Sequence, residues 1–170
     1  KDISARPDLA KKNAETQITP MDQVTKTLGA VFQSYMNNPA KLMEAQQSLW
    51  GIYGMIWQNA WARALGASAE PIATPARNDK RFKDKDWQDN TVFDFFKQIY
   101  IASSEWSLKM VADAEGIDAH TRQKAKFYVE QILNAFSPSN FPASNPEVLR
   151  TTLATNGENL IEGMQKLEQD

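Results

Sequence analysis

The chain has 170 residues, 42% hydrophobic and 10% aromatic, with 19 basic against 21 acidic side chains and a net charge of −2. That length suits one domain, or one domain with an arm; the apolar content excludes wholesale disorder, and near-balanced charge excludes a general attraction to nucleic acid or anionic lipid. There is no cysteine, so disulfides, thiolate metal sites and cysteine nucleophiles are excluded within these residues, and a reducing cytoplasm is compatible.

No apolar run nears the roughly 18 residues of a membrane span, and Lys1-Asp2-Ile3-Ser4 is too polar a start for a signal peptide. The chain begins without methionine and ends at Glu168-Gln169-Asp170 inside a helical pattern, so both ends are expected to be cuts from something longer. Residues 1–18, mixed in charge and poor in apolar groups, are expected to form a flexible arm. Thr19-Pro20 then reads as a cap followed by proline at the first helical position, opening a helix to about Met36. Asn37-Asn38-Pro39 ends it and starts a second helix to about Leu65, giving a helical hairpin over 19–66.

The second helix carries Trp50, Trp57 and Trp61, which at about 100° per residue fall within roughly 40° of one another, with Tyr53 alongside. Bare, such a stripe would exceed the few hundred Å² usual for an apolar patch on a soluble monomer, so something is expected to cover it. Two readings stay open. One is burial in the hairpin core or beneath the rest of a longer protein; the other is a surface that meets a partner or an apolar assembly. Gly51 and Gly54 in the same helix would permit close helix approach.

Gly66 to Asn78, with Pro71 and Pro75, is the best boundary in the chain, and 67–90 reads as a linker and anchoring segment. Its interleaved Asp79, Asp84 and Asp86 offset its basic residues, while Phe82 and Trp87 are expected to pin it to the body. Asn90 or Thr91 caps a helix to about Ala114. Val92, Phe95, Phe96, Ile99, Ser103, Trp106 and Met110 share one arc of it, and Asp94, Gln98, Glu105 and Lys109 form the narrow polar strip, which predicts the central buried helix. Gly116 stops it, and Asp118 caps a helix through Phe136 with Ala125, Tyr128, Val129, Ile132 and Phe136 on its inner face.

The stretch 136–146 places prolines at 138, 142 and 146, so no helix runs through it, and Phe136 and Phe141 are expected to anchor it as an ordered corner. Asn145-Pro146-Glu147 starts a short helix to about Asn156-Gly157, and Leu160, Ile161, Met164 and Leu167 mark a last amphipathic one. With no alternating strand pattern, the fold is predicted all-α, an irregular bundle of about five to six helices.

Chemistry-bearing groups are sparse. The single histidine, His120, opens a helix among polar residues and suits a surface or capping role. Asp113, Glu115 and Asp118 around Gly116 lack the spacing of a calcium loop, the seven glycines form no phosphate loop, and Asp84 with Asp86 lie in a wet charged segment unsuited to acid–base catalysis. The residues alone predict no catalytic site, no metal and no cofactor.

Several separate motifs nevertheless occur in a known order: Asp79-Lys80-Arg81-Phe82 with Trp87 behind it, Phe96-Lys97-Gln98-Ile99-Tyr100, Thr121-Arg122-Gln123-Lys124, and Ser137-Pro138-Ser139-Asn140-Phe141-Pro142-Ala143-Ser144-Asn145-Pro146-Glu147. From Asp79 onward the chain resembles the N-terminal domain of class I polyhydroxyalkanoate synthases. The resemblance implies an acyltransferase that polymerises hydroxyacyl units from coenzyme A thioesters, with a cysteine, histidine and aspartate in an α/β-hydrolase domain further along. It implies a non-catalytic N-terminal domain, here a helical body over 91–170 leading into a C-terminal catalytic domain missing from these residues. That domain would support activity, homodimer formation, attachment to the cytoplasmic polyester granule and contact with granule-associated proteins. Trp50, Tyr53, Trp57 and Trp61 are the candidates for granule or partner contact, and Phe82, Trp87, Phe136 and Phe141 for structural anchors. The reading from a different class is a free-standing helical adaptor that binds another protein through its aromatic stripe.

Overall fold

The computed structural model describes residues 19–141, 143–154, 162–163 and 165–166. Among the described residues there is no strand, and the chain is an all-α bundle: α1 (Pro20–Met36), α2 (Pro39–Ala64), the single turn α3 (Asp86–Asp89), α4 (Thr91–Asp113), α5 (Ala119–Ala135) and α6 (Pro146–Ala154), with 3₁₀ turns at Lys80–Phe82 and Pro138–Asn140. The arm expected over 1–18 lies outside the described residues, as do Leu160, Ile161, Met164 and Leu167; residues 162–163 and 165–166 between them are helical.

Local chemistry sets the helix starts. The Thr19 hydroxyl accepts the Asp22 amide at 3.2 Å while the Asp22 carboxylate accepts the Thr19 amide at 3.1 Å, a reciprocal box that satisfies two otherwise orphaned donors. Asn38, Asn90, Asp118 and Asn145 accept first-turn amides of α2, α4, α5 and α6 in the same way. Glycines at positive φ, Gly66 at 89° and Gly116 at 74°, stand where α2 and α4 give way to the following segments.

α4 is the axis of the bundle, with α2 and α5 packed along it and α3 at its N-terminal end, while α1 leans on α5 and α2. Ile56, Ala73, Ile101 and Ala102 form the buried core, and Ile52, Phe95, Ile99 and Tyr100 close around it. Next to it Phe82 and Trp87 meet edge to face at 5.0 Å, and Trp87 meets Phe93 at 5.8 Å, so the 67–90 segment is held by buried rings. The same segment is stitched by its backbone: Asn59 donates to the Glu70 carbonyl at 2.6 Å, and the Gln98 side-chain oxygen accepts the Ile72 and Ala73 amides at 2.8 and 3.3 Å.

Three expectations need correction. The polar strip of α4 does not all face water: Asp94 and Gln98 are buried together with Lys97, whereas Val92 and Phe96 are exposed. The helix is rolled this way because α2, α3 and the 70–73 segment arrive on that side with partners for the polar groups. On α5, Ala125 is buried but Ile132 and Phe136 are exposed, so the inner face is narrower than its apolar pattern. The proline corner is ordered, but not through its phenylalanines, since Phe136 is 69% and Phe141 46% exposed. Its seat is polar: Ser144 donates to the Pro138 carbonyl at 2.7 Å, Asn145 to the Ser139 carbonyl at 2.6 Å and Asn140 to the Asn134 carbonyl at 2.7 Å, around buried Ser137 and Pro146. A segment whose prolines prevent regular pairing must satisfy its carbonyls locally, and serine and asparagine do so.

Trp87→Ala is expected to lower the unfolding free energy by about 3–5 kcal/mol in urea denaturation, as loss of a fully buried ring does. Phe136→Ala, at a bare site, should stay within about 0.5 kcal/mol of the parent.

Candidate interaction surface

The inner side of α2 carries Ile52, Ile56, Asn59 and Arg63, and the last two enter a buried polar cluster on α4. Arg63 meets Asp94 at 2.5 Å, Lys97 meets the same carboxylate at 3.0 Å, and Gln98 donates to Asp94 at 2.5 Å and to Asn59 at 3.3 Å. Arg63 also donates to the Gln88 carbonyl, which ties α3 into the cluster. Two cations share one carboxylate, and no buried side-chain nitrogen or oxygen among the described residues lacks a partner. Rotating α2 about its axis would pull Arg63 from Asp94 and strand charge inside the bundle.

With that side committed inward, the opposite side of α2 faces out. Trp50 is 70% exposed and Trp57 and Trp61 55% each, so within this chain the stripe is surface. Tyr53 parts company with it: its ring meets Trp50 edge to face at 6.0 Å, but its hydroxyl is hydrogen-bonded to Ser103 of α4. Trp57 packs edge to face on Trp61 at 6.1 Å and on Phe95 at 5.6 Å. Between α2 and α4 these rings line an apolar groove of about 230 Å³, floored by Ala60 and Ala64 and walled by Val92 and Phe95. The groove holds no charged group, and its one hydroxyl is that of Thr91 at the start of α4. It is fit to take an apolar side chain or a hydrocarbon-like surface.

The surface has members that the sequence reading placed in the core, Val92 and Phe96. Arg63 and Lys97 were overlooked as a pair; the spacing of Asp94, Lys97 and Gln98, three and four residues apart on one helical face, was the available signal. Of the anchors, Phe82 and Trp87 are buried, and Phe136 and Phe141 are not.

Several further charged groups have structural partners. His120 is exposed in the first turn of α5. Asp113 pairs with Lys109 at 2.5 Å, Glu115 with Lys41 at 2.9 Å, and Asp118 caps α5. Arg150 of α6 bridges Asp84 and Asp86, closing the corner onto the anchoring segment. Arg81 lies over the rings of Phe82 and Tyr100 and chelates Asp79, whose carboxyl is held below its ordinary range chiefly by that side-chain hydrogen bond. Among the described residues there is no group of three or more potential metal ligands and no helix long and apolar enough to cross a membrane.

Comparison with known proteins adds what the geometry lacks. The sequence profile of the family described as "Poly-beta-hydroxybutyrate polymerase (PhaC) N-terminus" matches residues 78–170. The chain belongs to this family. The Poly(3-hydroxyalkanoate) polymerase subunit PhaC of Rhizobium meliloti is 43% identical over 164 residues, 96% of this chain and 27% of the relative. The Poly(3-hydroxyalkanoate) polymerase of Methylorubrum extorquens is 45% identical over 150 residues, 88% and 25% respectively. A more distant subunit from Cupriavidus necator is 34% identical over 132 residues, 78% and 21%. The chain thus spans about a quarter of the length of the polymerases it matches, and the likeness extends ahead of Asp79 through α1 and α2. No solved structure matches the chain.

Asp94→Ala is expected to cost about 3–5 kcal/mol in chemical denaturation, because it leaves two cations without their carboxylate. The Asp79 clamp has a defined pH sign. Its folded pKa lies below the unfolded value, so its stabilisation is present above about pH 4 and is lost as pH falls through the folded pKa. Asp79→Asn should therefore flatten part of the acid limb of a thermal stability profile and leave the neutral-to-alkaline limb unchanged in shape.

Proposed function

We propose that this chain serves as the non-catalytic N-terminal domain of a polyhydroxyalkanoate polymerase. It would work beside a catalytic domain that transfers hydroxyacyl groups from coenzyme A thioesters to a growing polyester and releases coenzyme A. The family match over residues 78–170, with relatives named as polymerases, carries this reading. Thioester exchange suits a thiolate nucleophile with a histidine base. These residues hold no cysteine and one histidine, which sits on the surface, so they supply no such pair.

In this reading the domain's contributions are to dimer formation, to attachment at the cytoplasmic granule surface and to contact with granule-associated proteins. The outward side of α2 supports a contact role. Indole rings combine an apolar body with a polar edge, which suits the boundary between water and an apolar phase or partner. The same bare face favours the second reading, a free-standing helical adaptor, in which the partner would be another protein and no polymerase activity would depend on the chain.

The test is a domain exchange in the Rhizobium meliloti polymerase. Deleting its matching N-terminal region should reduce polymer formation about tenfold, an effect of ~1.4 kcal/mol on the barrier, and inserting this chain in its place should restore it. Failure to restore activity favours the adaptor. Coenzyme A release from hydroxybutyryl-CoA by the isolated 170-residue chain would overturn the non-catalytic assignment.

A further inference from the structure

Charged contacts close this bundle at two places, and they differ in what parting them would cost. At Asp94 two cations share one buried carboxylate, so separation strands charge in the interior. The second closure is at the surface. Arg150 of α6 reaches back to Asp84 and, at 3.1 Å, to Asp86; the Arg150 side chain is 55% exposed and that of Asp86 36%, so separation leaves these charges in contact with water.

The two sides of this contact are unequally fixed. On one side the Asp84 carboxylate accepts the Asp86 amide at 3.0 Å, and the next residue, Trp87, is fully buried. On the other, α6 buries Pro146 and half-buries Val148 and Leu149, while Glu147, Arg150 and Thr151 are exposed. The Asn145 side chain belongs both to α6 and to the proline corner behind it. Its nitrogen donates to the Ser139 carbonyl at 2.6 Å, and its oxygen accepts the Glu147 amide at 3.0 Å. The helix can therefore turn about Asn145 with both bonds kept. Ser144 and Asn140 fasten the corner in the same neutral way, so salt acts on the tether and not on the pivot.

We infer that α6 is a lever pivoted at Asn145, held against the 84–86 turn by Arg150 at low ionic strength and swung free of it as ionic strength rises. An exposed ion pair is weak enough for that, and the screening length falls from about 10 Å at 0.1 M salt to about 3 Å at 1 M. Neither position leaves an unpaired charge in the interior, which lets two positions of one element lie close in free energy. In the polymerase reading α6 leads toward the catalytic domain, and the lever then sets how that domain sits against the bundle. This consequence alone rests on that reading.

The experiment measures the swing in the 170-residue chain. Because the chain has no cysteine, Glu105→Cys on α4 and Thr151→Cys on α6, both at exposed positions, take nitroxide labels for electron–electron double resonance. One interlabel distance should dominate at about 0.1 M salt, and a second should appear in about half of the molecules at about 1 M. In the same labelled background, Arg150→Gln should show the second distance at low salt and no further response to salt. Asp84→Asn combined with Asp86→Asn keeps an oxygen for the Asp86 amide and should behave alike. One distance under every condition, a salt response that survives Arg150→Gln, or a swing seen in Arg150→Gln but not in the paired asparagine variant would each overturn the inference. None of these outcomes bears on the polymerase assignment, which the domain exchange tests.

Discussion

The Asp94 carboxylate is the point on which the arrangement of this bundle turns. It accepts from Arg63 of α2, from Lys97 one turn along its own helix, and from Gln98, whose side-chain oxygen takes the amides of Ile72 and Ala73. One side chain therefore connects α2, α4 and the segment between them, and Arg63 extends the connection to α3 through the Gln88 carbonyl. A buried ion pair adds little net stability, because desolvation offsets most of its attraction. It does make alternatives costly, since any other roll of α2 against α4 leaves a charge buried and unpaired. What the cluster supplies is register rather than strength.

Register is what the apolar pattern fails to supply here. α4 is hydrophobic over most of its circumference, and α2 carries large apolar residues on two opposite sides, Ile52 and Ile56 on one and Trp50, Trp57 and Trp61 on the other. By area alone the tryptophan side would be the better one to bury, at roughly 25 cal/mol per Å². The bundle buries the isoleucines instead, because only that side also brings Asn59 and Arg63 to Gln98 and Asp94. Polar specificity has overridden hydrophobic greed, and the aromatic stripe is left outside as a consequence.

This explains which parts of the structure are legible from sequence. Helix limits are set by neighbours in the chain, so Thr19, Asn38, Asn90, Asp118 and Asn145 announce their caps, and the helices begin beside them. The aromatic stripe is legible as a stripe, since its members lie on one helix. Whether it is covered depends on where a carboxylate 31 positions beyond Arg63 comes to lie, which no local pattern encodes. Asp94 and Gln98 read as a wet strip for the same reason: a polar residue on a helix declares its need for partners, not whether water or protein meets it. The proline corner shows the converse. Its order is legible, but Phe136 and Phe141 draw attention by size while Ser144, Asn140 and Asn145 do the holding.

A domain built this way separates two tasks that usually share one set of residues. The folded state is held by α4, the Phe82–Trp87 pair and the Asp94 cluster, and of the outer tryptophans Trp57 reaches this framework through its edge-to-face contact with Phe95. The outer face is free of charge from Ala45 to Ala62 and contributes little to its own monomer's core, so it can be altered for a partner without unfolding the bundle that presents it. Rigid presentation also lowers the entropy lost on contact, since Trp57 is braced against Phe95 and Trp61, and Trp50 against Tyr53. The absence of charge from Ala45 to Ala62 is then consistent with a contact role. A surface specialised to exclude water from a neighbour carries large rings and no charge, and of the charged side chains of α2 it is Arg63 that holds its roll, through Asp94.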